Sequence, residues 1–422
     1  MNSVATAREI AARCVLKVSE DKAYSNLVLN SALKNSGLSA EDKAFCTTLF
    51  YGTLDRMVTI DFFLKKLIKT KLSKISPYTL CVLRTAVFQI KYLEKVPHSA
   101  AVNEAVNLVK NSDEAYNSNF TNAVLRNLLR TEIPLPAGNS IFDISVSCSA
   151  PEWIVSMLIP SYGAEFTRAF LKESLLPPPT YIRVNTRKTD TSSLKNALAC
   201  EKVEVHDTLL PDALVIKGAA IEQLESYKKG LFFVQDISCQ MAVKMLNLNE
   251  SDRLLDICAA PGGKSFCAAM SGCEVVACDL YEHRTGLIDS GASRLGLTKV
   301  STKTADATAF SQELGCFSAV ICDVPCSGLG VIRRKPDIKY NKTEDFAGLI
   351  STQRSILDNA DKYLSKGGKL LYSTCTLNIA ENRENVDFFL SQHPNYILAQ
   401  EHTFSPQNEN SDGFYAALLI KN

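Results

Sequence analysis

Several features are missing from this chain of 422 residues, and each absence narrows what it can be. There is no run of 18 apolar residues and no N-terminal apolar stretch of signal-peptide type, which points away from a spanning or secreted protein and toward a cytoplasmic one. The 14 cysteines contain no Cys-x2-Cys pair, and the five histidines, His98, His206, His283, His393 and His402, are scattered. No metal site is expected, therefore, and most of the thiols should be small buried hydrophobes in a reducing compartment. Charge of one sign is not in excess: the formal net charge is +1, so the molecule as a whole does not advertise a polyanionic partner, and any basic surface has to be local. The dinucleotide fingerprint G-x-G-x-x-G is absent as well, which removes the commonest nucleotide-binding reading of an α/β chain.

What is present suggests about three domains for this length. Up to about residue 130 apolar residues recur at three and four places, as in Ile10, Cys14, Val18, then Leu80, Leu83, Val87, Ile90, then Val102, Ala105, Val106, Val109, with Gly37, Pro77 and Pro97 as punctuation. That spacing predicts an all-α bundle over residues 1–132. Between residues 56 and 95 nine Lys or Arg stand against Asp61 and Glu94, a local net of +7. Such a stretch is either a solvated helix face or a nucleic-acid footprint. Residues 133–150 lose the helical period and carry Pro134, Pro136 and Gly138, which predicts a linker. A helix around residues 153–172 and short apolar or alternating runs near 181–185, 203–205, 213–216 and 231–234 predict a small α+β domain, RRM-like, over 151–240.

From residue 241 to 422 strands and helices alternate, with strands expected at 254–258, 274–278, 300–304, 318–322 and 369–374. This is the doubly wound, Rossmann-like α/β pattern, in which ligands bind at the carboxyl ends of the strands. The first strand breaks into Ala259, Ala260, Pro261, Gly262, Gly263, Lys264 and Ser265 before a helix resumes. A phosphate loop would need glycine where Cys258 stands. The loop then suits a nucleoside without a phosphate chain, with Asp279 at the end of the next strand for its ribose, unless it is only a tight strand-to-helix turn. Asp306 follows the third strand, Asp323-Val324-Pro325-Cys326 the fourth and Cys375 the fifth. Unless both are simply buried cysteines, two thiols in one crevice suit methylation of a cytosine at C5: a thiolate adding to C6 makes C5 nucleophilic toward an electrophilic methyl group, and a base then removes the C5 proton.

Two resemblances bear on this reading. The segments HSAAVNEAVNLVK (98–110) and FTNAVLR (120–126) resemble the helical RNA-binding domain of the NusB family. The blocks CAAPGGK (258–264), DVPCSGLGVIRRKPDIK (323–339), STCT (373–376) and DGFYAALL (412–419) resemble the signatures of RNA 5-methylcytosine methyltransferases, and with the NusB-like head the chain resembles the bacterial 16S rRNA cytosine-C5 methyltransferases of the Sun or Fmu (RsmB) type. That resemblance implies S-adenosyl-L-methionine as cofactor, held by Cys258, Ala259, Ala260, Pro261, Gly262, Gly263, Lys264, Asp279, Asp306 and Asp323. It further implies Cys375 as nucleophile, Cys326 as the aid to product release, 16S rRNA as partner (the member acting at cytosine 967 is the one resembled) and a cytoplasmic monomer. The chain departs from the family at Val324, where alanine is usual, and in having Phe414-Tyr415 after Gly413. An RNA-binding regulator with an idle methyltransferase fold is the alternative from another class, against which both retained thiols argue. An amino-group methyltransferase would carry an Asp-Pro-Pro-Tyr-like sequence where Asp323 to Cys326 stand. Arg333, Arg334 and Lys335 could hold RNA phosphates or form a solvated loop.

Overall fold

The computed structural model describes residues 5–21, 23–340 and 346–422; residues 1–4 of the expected helical domain lie outside them. The chain forms two compact units, Met1–Leu176 with Ile332–Lys342, and Pro177–Val331 with Thr343–Asn422. Among the described residues no single helix is long and apolar enough to cross a membrane.

The first unit is helical throughout: Ala7–Asp21, Ser25–Lys34, Ala40–Asp55, Met57–Leu67, Pro77–Tyr92, His98–Lys110 and Ser118–Arg130 pack on one core. Pro77 occupies the first turn of its helix, where a missing N–H costs nothing. That helix is central, with Cys81, Val82, Leu83, Ala86 and Val87 all buried. Its Arg84 is held by a bidentate pair with Asp61 at 2.8 Å.

The two compact units are a coarser division than the domains expected with boundaries at 132, 150 and 240. The expected linker holds the helix Ile141–Ser147, started by a reciprocal capping box between Ser140 and Asp143. The long helix Glu152–Glu173, bent at Gly163 and carrying Pro160, groups with the first unit. So does Ile332–Lys342, which reads as a charged loop in the sequence. Its Lys339 is buried, donating to the Asp55 carbonyl at 2.7 Å and the Ser149 carbonyl at 3.3 Å, and Tyr340 donates to the Leu54 carbonyl at 2.7 Å.

The second unit contains two sheets. The smaller is antiparallel, ordered β2-β3-β1-β4 from β1 (Thr180–Val184), β2 (Glu204–Asp207), β3 (Ala213–Lys217) and β4 (Phe232–Val234), with the helix Thr191–Cys200 burying Leu194 and Leu198 against Ile182, Val184 and Phe232. The larger contains the five expected strands, β5 (Arg253–Asp256), β6 (Glu274–Asp279), β7 (Val300–Thr304), β8 (Phe317–Asp323) and β9 (Leu364–Thr374). Two more follow, β10 (Tyr396–Phe404) and β11 (Phe414–Lys421). The order is β10-β11-β9-β8-β5-β6-β7, with β9 to β7 parallel and β11 antiparallel to both its neighbours. Successive residues feed opposite layers, Leu254 one and Leu255 the other, which is why the central strands β5, β6 and β8 are largely apolar. After β5 the chain winds outward through β6 and β7 and then returns to lay β8 on the other side of β5. The carboxyl ends of β5 and β8 thus flank a topological switch point, where a doubly wound sheet opens a crevice.

Candidate active site

The glycine loop begins where β5 ends. The Ala259 N–H donates to the Cys278 carbonyl at 2.7 Å and the Ala260 N–H to Asp279 Oδ2 at 3.2 Å, so the loop is fastened to the end of β6. Gly262 has φ of 107°, and a Cβ there would also run into the Phe266 ring. Only glycine meets both conditions. Cys258 opens the loop and Gly263 starts the helix Gly263–Ala269. Burial pushes the Cys258 thiol well above its ordinary pKa, so it sits there as a small neutral group.

The two acids expected beside a nucleoside are placed differently. Asp279 is buried, and its Oδ1, which accepts no hydrogen bond of good geometry, lies 3.1 Å from Arg284 Nη1. Asp306 is exposed and closes its own turn, accepting from the Thr308 N–H at 2.8 Å and Oγ1 at 2.7 Å, bonds that hold its carboxyl below the usual value. It joins the loop system only through the backbone, where the Ala305 N–H donates to the Asp279 carbonyl at 3.0 Å.

Lys264 points across the switch point. Its ammonium donates to Asp323 Oδ2 at 2.7 Å, approaches Cys239 Sγ at 3.5 Å and lies 4.9 Å from the centre of the Phe414 ring. Burial works against that charge, but Asp323 and Cys239 outweigh it and keep the lysine protonated above its usual range. Asp323 Oδ1 accepts from Ser373 Oγ at 2.8 Å, so the acid closing β8 is held from β9 as well. Behind the loop, Asp256 is fully buried with Ser265 Oγ donating to it at 2.7 Å, and burial pushes its pKa up to about 7.

The thiols at the ends of β8 and β9 do meet. Cys326 Sγ and Cys375 Sγ are 3.1 Å apart, neither in a disulfide, and the Cys375 N–H donates to Cys326 Sγ at 3.2 Å. The hydrogen bond to Cys375, together with burial, raises the Cys326 pKa well above its ordinary value, which favours its thiol form. The backbone explains the glycines of two signature blocks. The Gly330 N–H donates to the Cys375 carbonyl at 3.0 Å and the Gly413 N–H to the Gly330 carbonyl at 2.9 Å. A side chain on Gly330 would collide with both neighbouring carbonyls. Of the departures from the family pattern, Val324 is buried with its N–H on the Ser373 carbonyl at 3.1 Å, and Tyr415 donates to Glu401 at 2.6 Å.

Sequence reasoning missed Asp256, Ser265, Arg284, Ser373 and Cys239. The acid closing β5 and the serine after Lys264 carried a signal, since they flank the first block, and so did Ser373, which opens the STCT block; Arg284 and Cys239 carried none.

Models of known families match this chain in three places: the 16S rRNA methyltransferase RsmB/F model at residues 243–420, the ferredoxin-like domain of RsmF/B-like methyltransferases at 150–221 and the NusB family at 5–130. The probable ribosomal RNA small subunit methyltransferase B of Bacillus subtilis (strain 168) is 36% identical over 92% of this chain and 89% of its own length. The chain belongs to the RsmB/F family of 16S rRNA methyltransferases. The corresponding Synechocystis protein (strain ATCC 27184 / PCC 6803 / Kazusa) is 30% identical over 99% of both chains. Among solved structures PH0851 has the same fold, with a TM-score of 0.80 at 22% identity over 98% of this chain and 99% of that one. NSun6 from Pyrococcus horikoshii has a TM-score of 0.60 at 21% identity over 64% and 98%.

In this RsmB/F methyltransferase the basic stretch of the helical unit separates into two kinds of residue. Arg84 is spent on Asp61, and Arg56 stacks 4.8 Å from the centre of the Tyr92 ring. Lys65, Lys66, Lys69, Lys71, Lys74, Lys91 and Lys95 are all exposed, and Phe63, Tyr78 and Phe88 are core. The triplet is not an open patch, since Arg333 is buried, Arg334 half-buried and Lys335 exposed.

Proposed function

We propose that this protein methylates C5 of one cytosine in 16S rRNA, position 967 being the target that the resemblance implies, with S-adenosyl-L-methionine as donor and Cys375 as covalent nucleophile. The observation that carries the reading is the thiol pair: two cysteines from separate loops, 3.1 Å apart, at the carboxyl ends of adjacent strands. An amino-group transfer needs neither.

The residues around the glycine loop fit the donor. Asp279 offers a buried carboxylate oxygen that accepts no well-formed hydrogen bond, suited to a ribose diol, and the loop at 258–263 brings only small side chains against a nucleoside. When bound, the donor supplies an electrophilic methyl group; every other part of the chemistry belongs to the chain. Cys375, as thiolate, adds through Sγ to C6, and the electron pair of the C5–C6 double bond becomes available at C5. The Cys326 S–H donates to that sulfur, which lowers the cost of the thiolate before attack and again on departure. After C5 has taken the methyl group, its proton passes to a base, the C5–C6 double bond re-forms and the C6–S bond breaks. Asp323, ion-paired to Lys264 and three residues before Cys326, is the carboxylate on that loop able to take the proton. Cys326 therefore aids release as a donor to the departing sulfur and not as the group that strips C5. The cytosine must be unstacked for C6 to be reached. The exposed lysines of the helical unit supply a sequence-independent hold on RNA phosphates.

The test is a denaturing gel. Cys375→Ala should lose both turnover and any protein–RNA adduct. Cys326→Ala should methylate once and stall with RNA attached through Cys375, giving a slow-migrating band. The opposite pattern would exchange the two roles, and no band from either variant with methylation intact would end the covalent mechanism. Bisulfite mapping of 16S rRNA from cells lacking the protein should show one cytosine losing protection.

A further inference from the structure

Two thiols on different loops act together only if something fixes the loops against each other. The Sγ–Sγ contact is weak, since thiols are poor donors and acceptors. The backbone bond from Gly330 to the Cys375 carbonyl is four residues from Cys326. Beneath the pair lies Glu381, which has no part in the methyl transfer itself. It follows β9 in the short 3-10 turn Ile379–Glu381 and is fully buried. Its Oε2 accepts from the Ser327 N–H at 2.9 Å and from Gln353 Nε2 at 3.0 Å, and its Oε1 accepts from Asn378 Nδ2 at 3.0 Å. Gln353 Nε2 also donates to the Pro325 carbonyl at 2.9 Å. The residues on either side of Cys326 are thus both held, Pro325 by its carbonyl and Ser327 by its N–H, leaving the cysteine side chain to face Cys375. The other carboxylate oxygen holds Asn378, three residues after Cys375.

We propose that Glu381 is the positioning residue that makes Cys326 and Cys375 a working pair, by joining the loop after β8 to the loop after β9 through one carboxylate. A carboxylate is required because all three partners present N–H groups, and only an ionised acid accepts on both oxygens. An amide of the same shape would turn its own NH2 toward at least one of those donors. The negative charge beneath Cys326 also favours its thiol form, the form that donates to Cys375. The part of the proposal that concerns RNA rests on the covalent mechanism; the part that concerns the thiols does not.

The experiment uses the full chain and the variant Glu381→Gln, with thermal unfolding as the control for folding. An aryl arsenoxide condenses with two neighbouring thiols, forming two As–S bonds and releasing water, and so reports whether the pair is set. Wild type should bind it tightly at a site that disappears in Cys375→Ser. Glu381→Gln should bind roughly tenfold more weakly, the effect of losing a hydrogen bond to a charged group, while both cysteines stay open to single-thiol alkylation. With 16S rRNA, the same variant should accumulate the covalent adduct, because attack persists while release lacks a placed Cys326. Gln353→Leu should weaken arsenical binding in the same direction by less, and it serves should Glu381→Gln melt early. Unchanged arsenical binding in a folded variant would overturn the proposal. A wild-type enzyme that shows the thiol pair, with no RNA adduct in Cys326→Ala, would overturn the mechanism and leave the positioning role standing.

Discussion

Asp256 offers a prediction with a definite sign. Its carboxyl is fully buried behind the glycine loop, with one oxygen satisfied by Ser265 and the other, Oδ1, without a hydrogen-bond partner, and burial raises its pKa from 3.8 to about 7. In the unfolded chain the proton leaves near pH 4; in the folded protein it stays until about pH 7. Between those values the folded state binds more protons, so this group's stabilisation is complete below about pH 4 and is lost as pH rises through 7. At about 1.4 kcal/mol per pH unit, the two units from pH 5 up to the folded-state pKa amount to roughly 3 kcal/mol, a loss complete by about pH 8. Asp256→Asn removes the titration and keeps an oxygen for Ser265. Its amide NH2 meets the same unsatisfied position at every pH, so that cost cancels in a difference between pH values. Urea unfolding at pH 5 and pH 8 should show wild type losing about 3 kcal/mol more than the variant over this interval. At pH 8 the variant should compare best with wild type, and at pH 5 worst. An equal loss in both proteins would mean that Asp256 is ionised in the folded state and that burial does not govern it.

Three further outcomes are expected. Asp279→Ala should weaken S-adenosyl-L-methionine binding by about 1 to 3 kcal/mol, the worth of a hydrogen bond involving a charge; calorimetry showing unchanged affinity would remove Asp279 from the donor site. Lys264→Met strips Asp323 of its ion pair and should lower stability by about 3 kcal/mol, the low end for a broken buried pair because Asp323 keeps 32% of its side-chain surface; an unshifted unfolding midpoint would show that water already screens this pair. Replacing Lys65, Lys69, Lys71 and Lys74 with alanine should weaken RNA binding and flatten its salt dependence by roughly 0.7 for each phosphate no longer neutralised. A parallel salt plot with unchanged slope would turn that lysine face back into solvated surface.

The parts legible from sequence are those whose partners are near in the chain or repeat with a period. Strands β5, β6 and β8 are apolar runs closed by an acid, and a parallel sheet between two layers requires that pattern. Strand β11 has the same composition, Ala416, Ala417, Leu418 and Leu419 being buried, but in the sequence it stands out as a signature block and not as a strand. The helix Ile141–Ser147 escapes a reading by period because two turns are too short to show one, although Ser140 and Asp143 stand in capping positions. Both thiols can be placed at strand ends; their 3.1 Å separation cannot, because the bonds that fix the two loops, among them Ser327 to Glu381 and Gly330 to residue 375, join residues distant in the chain.

Lys339 is the most instructive case. It stands four residues after a triplet read as phosphate-binding or solvated, yet it is buried in the helical unit on a carbonyl 284 residues away in the chain. Neither propensity nor period reports so distant a partner. The consequence reaches the way the helical unit is tested. A fragment starting near residue 140 removes Leu54 and Asp55, and with them the acceptor of Tyr340 and the nearer acceptor of Lys339, so a continuation of the chain segment that bears Cys326 loses partners of buried polar groups. Lost methylation in such a fragment would follow from that unpacking whether or not the helices bind RNA. The lysine substitutions avoid the confusion, because Lys65, Lys69, Lys71 and Lys74 are exposed and none of them holds residues 332–340. If the fragment fails while the lysine variants methylate normally, the helical unit is needed for folding of that segment and not for grip on RNA; if both fail and the lysine variants unfold like wild type, it is needed for grip.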